Sequence, residues 1–359
     1  MTSNFDTSDR NAQKGGDFVP RLAMINDIAG FGRCSTTVSL PVISVMKVQV
    51  CPVPTSVLSN HLGFPLCHFD DYTSHMRDYI KVWNELGLTV DGLYCGFLGN
   101  EEQIDIVREF VEMFRPPLFL LDPVMGDHGR AYSSITETHV QKMKELLPLA
   151  DIITPNITEA CLLTGTPWKD GEWTMPELSG LCERLAPAGS SGASIVITGI
   201  RQGDSLVNFL WDDGVYTTVS TPIAGASRPG TGDIFASILA ADAVRGETLL
   251  SSVQKAANFV GLVAHKIFHL SAEHPKKYVA RVTILASVCG MAFNIVADPL
   301  VGYFYKTYLL GVPQDISKAL AKIATGVTAF NAVWAVVLAT VLYLALRPAL
   351  KKAGLFHEM

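Results

Sequence analysis

Short apolar runs alternate with longer segments of helical period between about residues 20 and 275 of this chain. Segments Asp71–Leu86, Glu101–Phe114 and His139–Leu149 have apolar side chains at helical spacing, which predicts amphipathic helices. The apolar runs end in or beside Gly, Pro, Asp or Asn, which predicts strands. These runs are Arg21–Asp27, Val48–Pro54, Val90–Phe97, Pro117–Pro123, Asp151–Pro155 and Ser194–Ile200. Strands that alternate with helices predict an α/β three-layer sandwich with a mostly parallel central sheet.

Polar residues close most of the predicted strands. In a parallel sheet, ligands bind beyond the carboxyl ends of the strands, so these residues are the first candidates for a site. The segment Ser205–Thr221 alternates apolar and polar residues around Asp212-Asp213-Gly214 and predicts a β-hairpin instead. The candidate positions are Asn26-Asp27, Gly96, Asp122, Thr154-Asn156 and Thr198-Gly199.

Both ends of the chain differ from this central region. Residues 1–19 are rich in Ser, Asn, Asp and Gly without an apolar period, which predicts a disordered tail. We expect residues 20–275 to form the α/β domain and residues 276–359 to form a hydrophobic helical segment. In that segment, Tyr278–Ala297 and Val327–Leu346 each have the ~20-residue length that a membrane-spanning helix needs.

Basic residues flank the outer end of each apolar stretch: Lys276, Lys277, Arg347, Lys351 and Lys352. This distribution predicts two transmembrane helices with both ends in the cytoplasm. A pair of buried core helices, or an amphipathic dimer motif, is the alternative. It weighs most for Tyr278–Ala297, because Arg281 and Asn294 are costly in lipid.

Composition and charge narrow the class of protein. Apolar residues make up 48% of the 359 residues, enough for a sizeable core, and the formal net charge is −6. The acidic balance argues against a nucleic-acid binder, but it permits a phosphate site, which needs only local dipoles. The seven cysteines form no C-x-x-C pair, which indicates reduced thiols in a cytoplasmic protein.

The sharpest motif is Gly230-Thr231-Gly232-Asp233, which precedes a segment of helical character. Two glycines before a helix let the backbone approach an anion, and the first-turn N–H groups and helix dipole then stabilise its charge. Asp233 is a candidate base for the proton of a substrate hydroxyl that attacks a phosphoryl group. The alternative is a simple N-capping turn, in which Gly and Asp are both common.

Two further motifs follow predicted strands, Asp122-Pro123-Val124-Met125-Gly126-Asp127 and Thr154-Pro155-Asn156-Ile157-Thr158-Glu159. They supply the carboxylate and amide oxygens that Mg²⁺ takes as ligands beside nucleotide phosphates. Asn156 and Glu159 also have the spacing of a capping box, so helix capping is the alternative. The two roles are compatible.

With these motifs in place, the chain from Arg21 to about Leu270 resembles the pyridoxal/pyridoxamine (vitamin B6) kinases of the ribokinase superfamily. The motifs at 230–233 and 156–159 mark the superfamily, and Asp122–Asp127, Ile153–Ala160 and Val196–Gly199 also match. The stretch from Ile25 to Ser35, which contains Asn26-Asp27 and Gly32-Arg33-Cys34-Ser35, points to the B6 branch. The resemblance implies a ribokinase-like fold and ATP-dependent phosphorylation of the 5′-hydroxymethyl group of pyridoxal, pyridoxamine or pyridoxine. It also implies a homodimer.

The resemblance also implies a role for each matched residue. Asp233 would be the base, and the anion hole would be Gly230, Thr231 and Gly232. The Mg²⁺ ligands would be Asp122, Asp127 and Glu159, with a monovalent cation as a further cofactor. The nucleotide and its phosphates would contact Asp122, Thr154, Asn156, Glu159, Thr198, Gly199 and Arg228. The vitamer would contact Asp27, Ser35, His61, Phe64, Tyr94 and Phe97; for Phe64 and Phe97, core packing is the alternative to stacking on a pyridine ring.

The segment Lys276–Leu355 resembles part of the vitamin-binding membrane subunit of an energy-coupling-factor transporter. This implies a cytoplasmic kinase domain that the C-terminal segment tethers to the membrane; a docking piece for a transporter and a remnant of a gene fusion are the alternatives for this segment. Two alternatives to a B6 kinase therefore stay open. One is a hydroxymethylpyrimidine kinase of thiamin salvage, and the other is a membrane vitamin-uptake subunit with a fused kinase region.

Overall fold

The computed structural model of the chain describes residues 19–186, 192–212, 214–223, 229–263 and 299–329. The chain divides into two units, Met1–Val263 and Ala264–Met359. The predicted disordered tail lies outside the described residues, apart from residue 19, and so does the predicted domain boundary at residue 275.

The first unit alternates strands and helices along the chain. Its strands are β1 (Arg21–Phe31), β2 (Gln49–Asn60), β3 (Phe69–Asp71), β4 (Gly92–Cys95), β5 (Phe119–Leu121), β6 (Gly126–Asp127), β7 (Arg130–Ala131), β8 (Ile152–Ile153), β9 (Ser194–Gln202), β10 (Ser205–Asp212) and β11 (Val215–Pro222). Its helices are α1 (Thr36–Val45), α2 (Thr73–Glu85), α3 (Glu101–Phe114), α4 (Glu137–Met143), α5 (Ile157–Thr164), α6 (Met175–Leu185), α7 (Thr231–Val244) and α8 (Leu249–Val263).

Nine of these strands form one sheet in the order β11-β10-β9-β8-β5-β4-β1-β2-β3. The neighbours from β9 to β2 pair in parallel. Antiparallel pairs occur only toward the two edges of this sheet, and β6 and β7 form a separate hairpin. The predicted mostly parallel sheet is confirmed, and the carboxyl ends of its central strands meet along one edge.

Alternate residues of the central strands are buried on opposite faces of the sheet. In β1, Ala23 and Ile25 pack with residues of α2, α3, α4, α5 and α6. Leu22 and Met24 belong to a second cluster, with residues of α1, α7 and α8. A strand buried on both faces shows this alternation, with apolar residues at every position. Helices therefore cover both faces of the sheet, as predicted.

Strands β1 and β2 continue past their predicted ends. They pair along their length to Phe31 and Asn60, with a register shift between Asn26 and Ile28. The Asn26-Asp27 pair thus lies at an irregularity inside the ladder, where local chemistry predicts a strand end. Pairing with a neighbouring strand keeps this polar stretch extended.

Two smaller predictions are confirmed. Strands β10 and β11 form the hairpin, with Asp212 opposite Val215. Helix α3 has the predicted bounds, and it begins where the Asn100 side chain accepts a hydrogen bond from the backbone N–H of Gln103.

The second unit is described over residues 299–329. It contains a helix at 299–304, a π-helical turn at Tyr305–Leu309 and a helix at 314–329. None of the helices within the described ranges has the length and hydropathy that crossing a bilayer requires. The predicted spans Tyr278–Ala297 and Val327–Leu346 lie outside the described residues, apart from residues 327–329.

Candidate active site

A cavity of about 580 Å³ lies at the carboxyl edge of the parallel strands. Most of the predicted site residues meet here, although they come from segments far apart in the sequence. Those that line the cavity are Asp27, Ser35, His61, Phe97, Asp122, Asp127, Thr154, Asn156, Glu159, Thr198, Gly230, Thr231, Gly232 and Asp233.

The glycine motif begins helix α7 at one wall of this cavity. Gly230 has a φ of 89°, in the left-handed region that favours glycine. A β-carbon at this position would lie 1.7 Å from the carbonyl oxygen of Arg33, so a side chain has no room. No side-chain hydrogen bond caps the helix at Gly230. This start of a 14-residue helix suits an anion better than it suits a side-chain capping turn.

The Asp233 side chain enters the cavity from the first turn of α7. Burial raises the pKa of its carboxyl, while the backbone N–H of Ser35 and the side chain of Asn26 lower it. Hydrogen-bond donors that favour the ionised form let a buried carboxylate act as a proton acceptor. Asp233 is therefore placed to take a proton from a hydroxyl group held beside the anion loop.

Asp27 lines the cavity from within β1, and Ser35 lines it from the segment that joins β1 to α1. Asp27 is 3% exposed, and its Oδ1 atom has no hydrogen-bond partner. Burial raises its pKa to about 7, the charge of Asp233 adds to the rise, and the Ser35 side chain opposes it. Ser35 has a φ of 55°, which is rare for a residue other than glycine and typical of functional sites.

Asp122 follows β5 directly and is 7% exposed. Burial and, to a smaller extent, the charge of Asp233 raise the pKa of its carboxyl to about 8, although the side chains of Thr154 and Tyr94 act in the opposite direction. Thr154, which follows β8, has a buried Oγ1 atom without a hydrogen-bond partner within ordinary distance. Thr154 therefore presents an unsatisfied oxygen atom to the cavity and Asp122 presents a buried carboxyl group, as a cation or phosphate site requires.

Asn156 and Glu159 form a capping box at the start of α5. Glu159 accepts hydrogen bonds from the backbone N–H groups of Asn156, at 2.8 Å, and Met125, at 3.1 Å. Asn156 in turn donates to the carbonyl oxygen of Gly126 at 2.8 Å. The capping alternative is thus correct for this pair. Because both residues also line the cavity, capping does not exclude a second role.

The small β6–β7 hairpin brings Asp127 to the cavity rim. Asp127 is exposed, and its Oδ1 atom accepts a hydrogen bond from the backbone N–H of His128 at 2.7 Å. The backbone N–H of Gly129 donates to Thr158 Oγ1 at 2.9 Å, which ties the hairpin to α5. The Asp127 side chain is therefore less constrained than the side chains of the buried acids.

Three of the predicted residues that the structure describes do not line the cavity. Tyr94 is fully buried in the core cluster with α1, α7 and α8. Phe64 is 41% exposed and packs on His61, with ring centroids 4.6 Å apart. The backbone N–H of Gly199 donates to Asn208 Oδ1 at 3.4 Å. Arg228 lies outside the described residues.

Sequence reasoning missed several residues of the cavity wall. Leu58 lies beyond the predicted end of β2, and Tyr132 follows a hairpin that has no strong sequence signal. Phe235 is two residues past Asp233 in a helix whose apolar residues all look like core residues. The missed lining residues are Leu58, Val124, His128, Tyr132, Pro229 and Phe235.

The acids of the cavity are the groups that could hold a metal ion. Across the described ranges, no three His, Cys, Asp or Glu side chains are grouped closely enough to hold one alone. Mg²⁺ often binds through one or two carboxylates together with phosphates and water. Glu159 and Asp122 fit that mode, since burial and then the charge of Asp122 raise the pKa of Glu159 well above its usual range. A cation would relieve this repulsion.

Comparison with known proteins places these features in a family. The sequence matches the family model described as Phosphomethylpyrimidine kinase over residues 81–276. The hydroxymethylpyrimidine/phosphomethylpyrimidine kinase of Aquifex aeolicus (strain VF5) is 25% identical over 245 residues, which cover 67% of this chain and 86% of that protein.

Solved structures share the fold. A Bacteroides thetaiotaomicron VPI-5482 protein described as a phosphomethylpyrimidine kinase, crystallised in an orthorhombic form with pyridoxal, is 36% identical with a TM-score of 0.64; the match covers 67% of this chain and 86% of that chain. Pyridoxal kinase from Lactobacillus plantarum is 25% identical with a TM-score of 0.66, covering 72% and 92%. The family model spans more than half of the sequence, and the chain belongs to the phosphomethylpyrimidine kinase/pyridoxal kinase family of the ribokinase superfamily.

Proposed function

We propose that the chain is a pyridoxal kinase that transfers the γ-phosphoryl group of ATP to the 5′-hydroxymethyl group of pyridoxal, pyridoxamine or pyridoxine. The observation that carries the proposal is the composition of one cavity. It is lined by an anion loop with an adjacent carboxylate, by two buried acids that suit a metal ion, and by Asp27 and Ser35, which suit a small polar ring. The 36% identical relative crystallised with pyridoxal supports the substrate class.

The proposed reaction assigns a role to each wall of the cavity. The 5′-hydroxyl oxygen attacks the γ-phosphorus, the bond to the β,γ-bridging oxygen breaks, ADP leaves, and the hydroxyl proton passes to the Asp233 carboxylate. Backbone N–H groups of the loop Gly230–Gly232 stabilise the charge on the transferred group. Mg²⁺ bound with the nucleotide would supply charge neutralisation, and Asp122 and Glu159 are the residues that would hold it.

The substrate side of the cavity favours a small aromatic heterocycle. Asp27 has an unpaired buried oxygen and a pKa of about 7, so it is suited to exchange a hydrogen bond with a ring nitrogen or hydroxyl near neutral pH. Phe97 is 5% exposed and still lines the cavity. It therefore acts both as a core residue and as an apolar wall, and the two alternatives for this side chain are compatible.

A hydroxymethylpyrimidine kinase is the second candidate. The Aquifex relative is described as a hydroxymethylpyrimidine/phosphomethylpyrimidine kinase, and the matching family model as a phosphomethylpyrimidine kinase. Both substrates are small nitrogen heterocycles with a primary hydroxymethyl group, so the anion loop and base would serve either one. The residues that discriminate between the two substrates are those that face the substrate ring, not those that face the phosphates.

A substrate panel tests the proposal. The purified full-length chain is incubated with ATP, Mg²⁺ and, separately, pyridoxal, pyridoxine, pyridoxamine and hydroxymethylpyrimidine. We expect kcat/KM for a B6 vitamer to exceed that for the pyrimidine by about 10-fold or more. The Asp233→Asn variant, prepared in parallel, controls for contaminating kinases. A higher kcat/KM for hydroxymethylpyrimidine would transfer the proposal to the second candidate.

The proposal extends to the location of the protein, its oligomeric state and its attachment to a membrane. We place the kinase domain in the cytoplasm as a homodimer, with residues 276–359 attaching it to a membrane. The sequence resemblances support this arrangement, together with the two apolar stretches Tyr278–Ala297 and Val327–Leu346.

A further inference from the structure

The β6–β7 hairpin supplies part of the cavity wall. Asp127 is the last residue of β6, His128 is at the turn, and Tyr132 follows β7; all three line the cavity. Each strand of this hairpin is only two residues long. An isolated two-stranded hairpin is marginally stable at best, so contacts with other parts of the chain must determine where its side chains lie.

The start of helix α5 provides one set of these contacts. The Asn156 side chain donates to the carbonyl oxygen of Gly126 at 2.8 Å, and the backbone N–H of Gly129 donates to Thr158 Oγ1 at 2.9 Å. Thr158 is 1% exposed, so the second of these bonds is buried. Because the same helical turn contains Glu159, the hairpin lies beside the proposed Mg²⁺ and phosphate site.

The indole ring of Trp168 provides the other contact. A β-carbon on Gly129 would lie 2.5 Å from Cδ2 and 2.6 Å from Cε3 of Trp168, so the ring lies directly against the α-carbon of Gly129. Gly129 has a φ of 74°, in the left-handed region that favours glycine. Trp168 is 38% exposed and is not among the cavity-lining residues of the described structure. The indole therefore contacts the hairpin without contacting the cavity.

The loop between α5 and α6 holds Trp168 in this place. The Arg184 side chain donates to Thr166 Oγ1 at 3.0 Å, and the Nζ atom of Lys169 lies 2.6 Å from Oε1 of Glu177. Both partners belong to α6. Trp168 thus lies between two residues that are fastened to the same helix, and its ring is a fixed surface for the hairpin.

We propose that Trp168 is a positioning residue for MgATP, which holds the β6–β7 hairpin in place beside the nucleotide phosphates. A cavity wall that is already held in place does not have to be ordered when the ligand binds, and this raises the affinity. The inference rests on the proposed function, because it places MgATP in this part of the cavity. It adds a residue that touches neither substrate nor nucleotide and acts through the hairpin alone.

Two substitutions at this position test the inference in the full-length chain. Trp168→Ala removes the ring, and Trp168→Phe keeps an aromatic ring of smaller size. We expect Trp168→Ala to raise the Kd for MgATP, measured by calorimetry without vitamer, and the KM for ATP by about 10-fold. The KM for the vitamer and kcat at saturating ATP should stay within about threefold, and Trp168→Phe should restore the Kd to within about threefold.

Tyr216→Ala is the matched control. It removes another partly exposed aromatic ring, which stacks on Phe209 with ring centroids 5.1 Å apart. Tyr216 pairs with Trp211, and Trp211 pairs with Ile195 near the start of β9, so this ring lies toward the sheet edge opposite the cavity. We expect its Kd for MgATP to stay within about twofold of the wild type. A rise equal to that in Trp168→Ala would show a general effect of lost stability and overturn the inference.

The binding measurements also separate this inference from the proposed function. Wild-type Kd for MgATP in a folded Trp168→Ala protein would overturn the inference alone, as would a vitamer KM that rises as much as the KM for ATP. If Trp168→Ala does not fold, Gly129→Ala decides the question, because its β-carbon displaces the ring from the hairpin and should raise the Kd in the same way. A wild-type chain that does not bind MgATP would overturn the proposed function and this inference together.

Discussion

The α-carbon of Gly230 lies against the carbonyl oxygen of Arg33, so closely that a β-carbon would be 1.7 Å from it. This contact joins the start of α7 to the segment between β1 and α1. The anion loop and Asp233 come from one side of it, and Ser35 and Asp27 come from the other. The candidate phosphate site and the candidate substrate site are thus held together through a position that only glycine can occupy.

Two alanine substitutions in this loop should have different effects. Gly230→Ala would place a β-carbon against the carbonyl oxygen of Arg33, at a residue whose φ of 89° is in the left-handed region. We therefore expect lower thermal stability and loss of most turnover. Gly232→Ala meets no atom within 4 Å, so the protein should fold normally. Its β-carbon lies at the anion site, and KM for ATP should rise about 10-fold. Melting temperatures and steady-state kinetics distinguish the two; equal melting losses would contradict this interpretation.

Replacement of the base should remove catalysis and spare binding. We expect Asp233→Asn to lower kcat by about 100- to 10,000-fold while ATP affinity, measured by calorimetry, stays within about threefold. Asp170→Asn, at an exposed residue outside the cavity, is the control. Near-normal turnover by Asp233→Asn would remove this residue from the mechanism.

The two capping boxes of the chain allow the roles of Glu159 to be separated. Glu177 caps α6 as Glu159 caps α5, and it accepts from the backbone N–H of Thr174 at 2.8 Å, away from the cavity. Glu159→Gln and Glu177→Gln should each weaken the start of the helix that the residue caps and lower the melting temperature. Only Glu159→Gln should raise the Mg²⁺ concentration needed for half-maximal turnover, by about 10- to 100-fold. The same Mg²⁺ dependence in both variants would leave Glu159 as a cap alone.

Asp122 should make the ligand-free protein less stable as pH rises. Its folded-state pKa of about 8 lies above the ordinary 3.8, so the folded chain binds this proton more tightly than the unfolded chain does. The associated stability is present at low pH and is lost between about pH 4 and pH 8.

The Asp122→Asn variant lacks this titration. The wild type should lose stability as the pH rises and the variant should not. The melting temperature of the variant minus that of the wild type should therefore increase by on the order of 2–4 °C between about pH 5 and pH 8. Addition of Mg²⁺ and ATP should stabilise the wild type more than the variant. A pH-independent difference would contradict the assignment of the shift to Asp122.

The C-terminal segment should be dispensable for the chemistry. A chain ending at residue 275 is expected to keep kcat and KM within about twofold, because the described cavity draws on residues 27–235 alone. The full-length chain, by contrast, should sediment with membranes after cell lysis. Recovery of the full-length chain in the soluble fraction would remove the membrane attachment from the proposal.

The sequence by itself determined the layered α/β architecture and the anion-binding loop at Gly230–Asp233. Apolar runs such as Arg21–Asp27 and Ser194–Ile200 predict buried strands because burial on both faces demands apolar residues in succession. Gly230-Thr231-Gly232-Asp233 predicts an anion-binding helix start because the required backbone freedom and N–H groups belong to neighbouring residues. Both signals are local, so each can be read without knowledge of the partner segments.

Only the tertiary structure decided which side chains face the cavity. Tyr94 and Phe97 follow one another closely in the sequence, yet Tyr94 is in the core and Phe97 lines the cavity. The strand period ends at Cys95, and beyond it the packing of Gly96 on Asn26 sets the direction of the chain. The raised pKa values of Asp27 and Asp122 and the contact of Gly230 with Arg33 depend in the same way on segments that are distant in sequence. Such contacts arise from the pairing of strands and the docking of helices, and no local pattern encodes them.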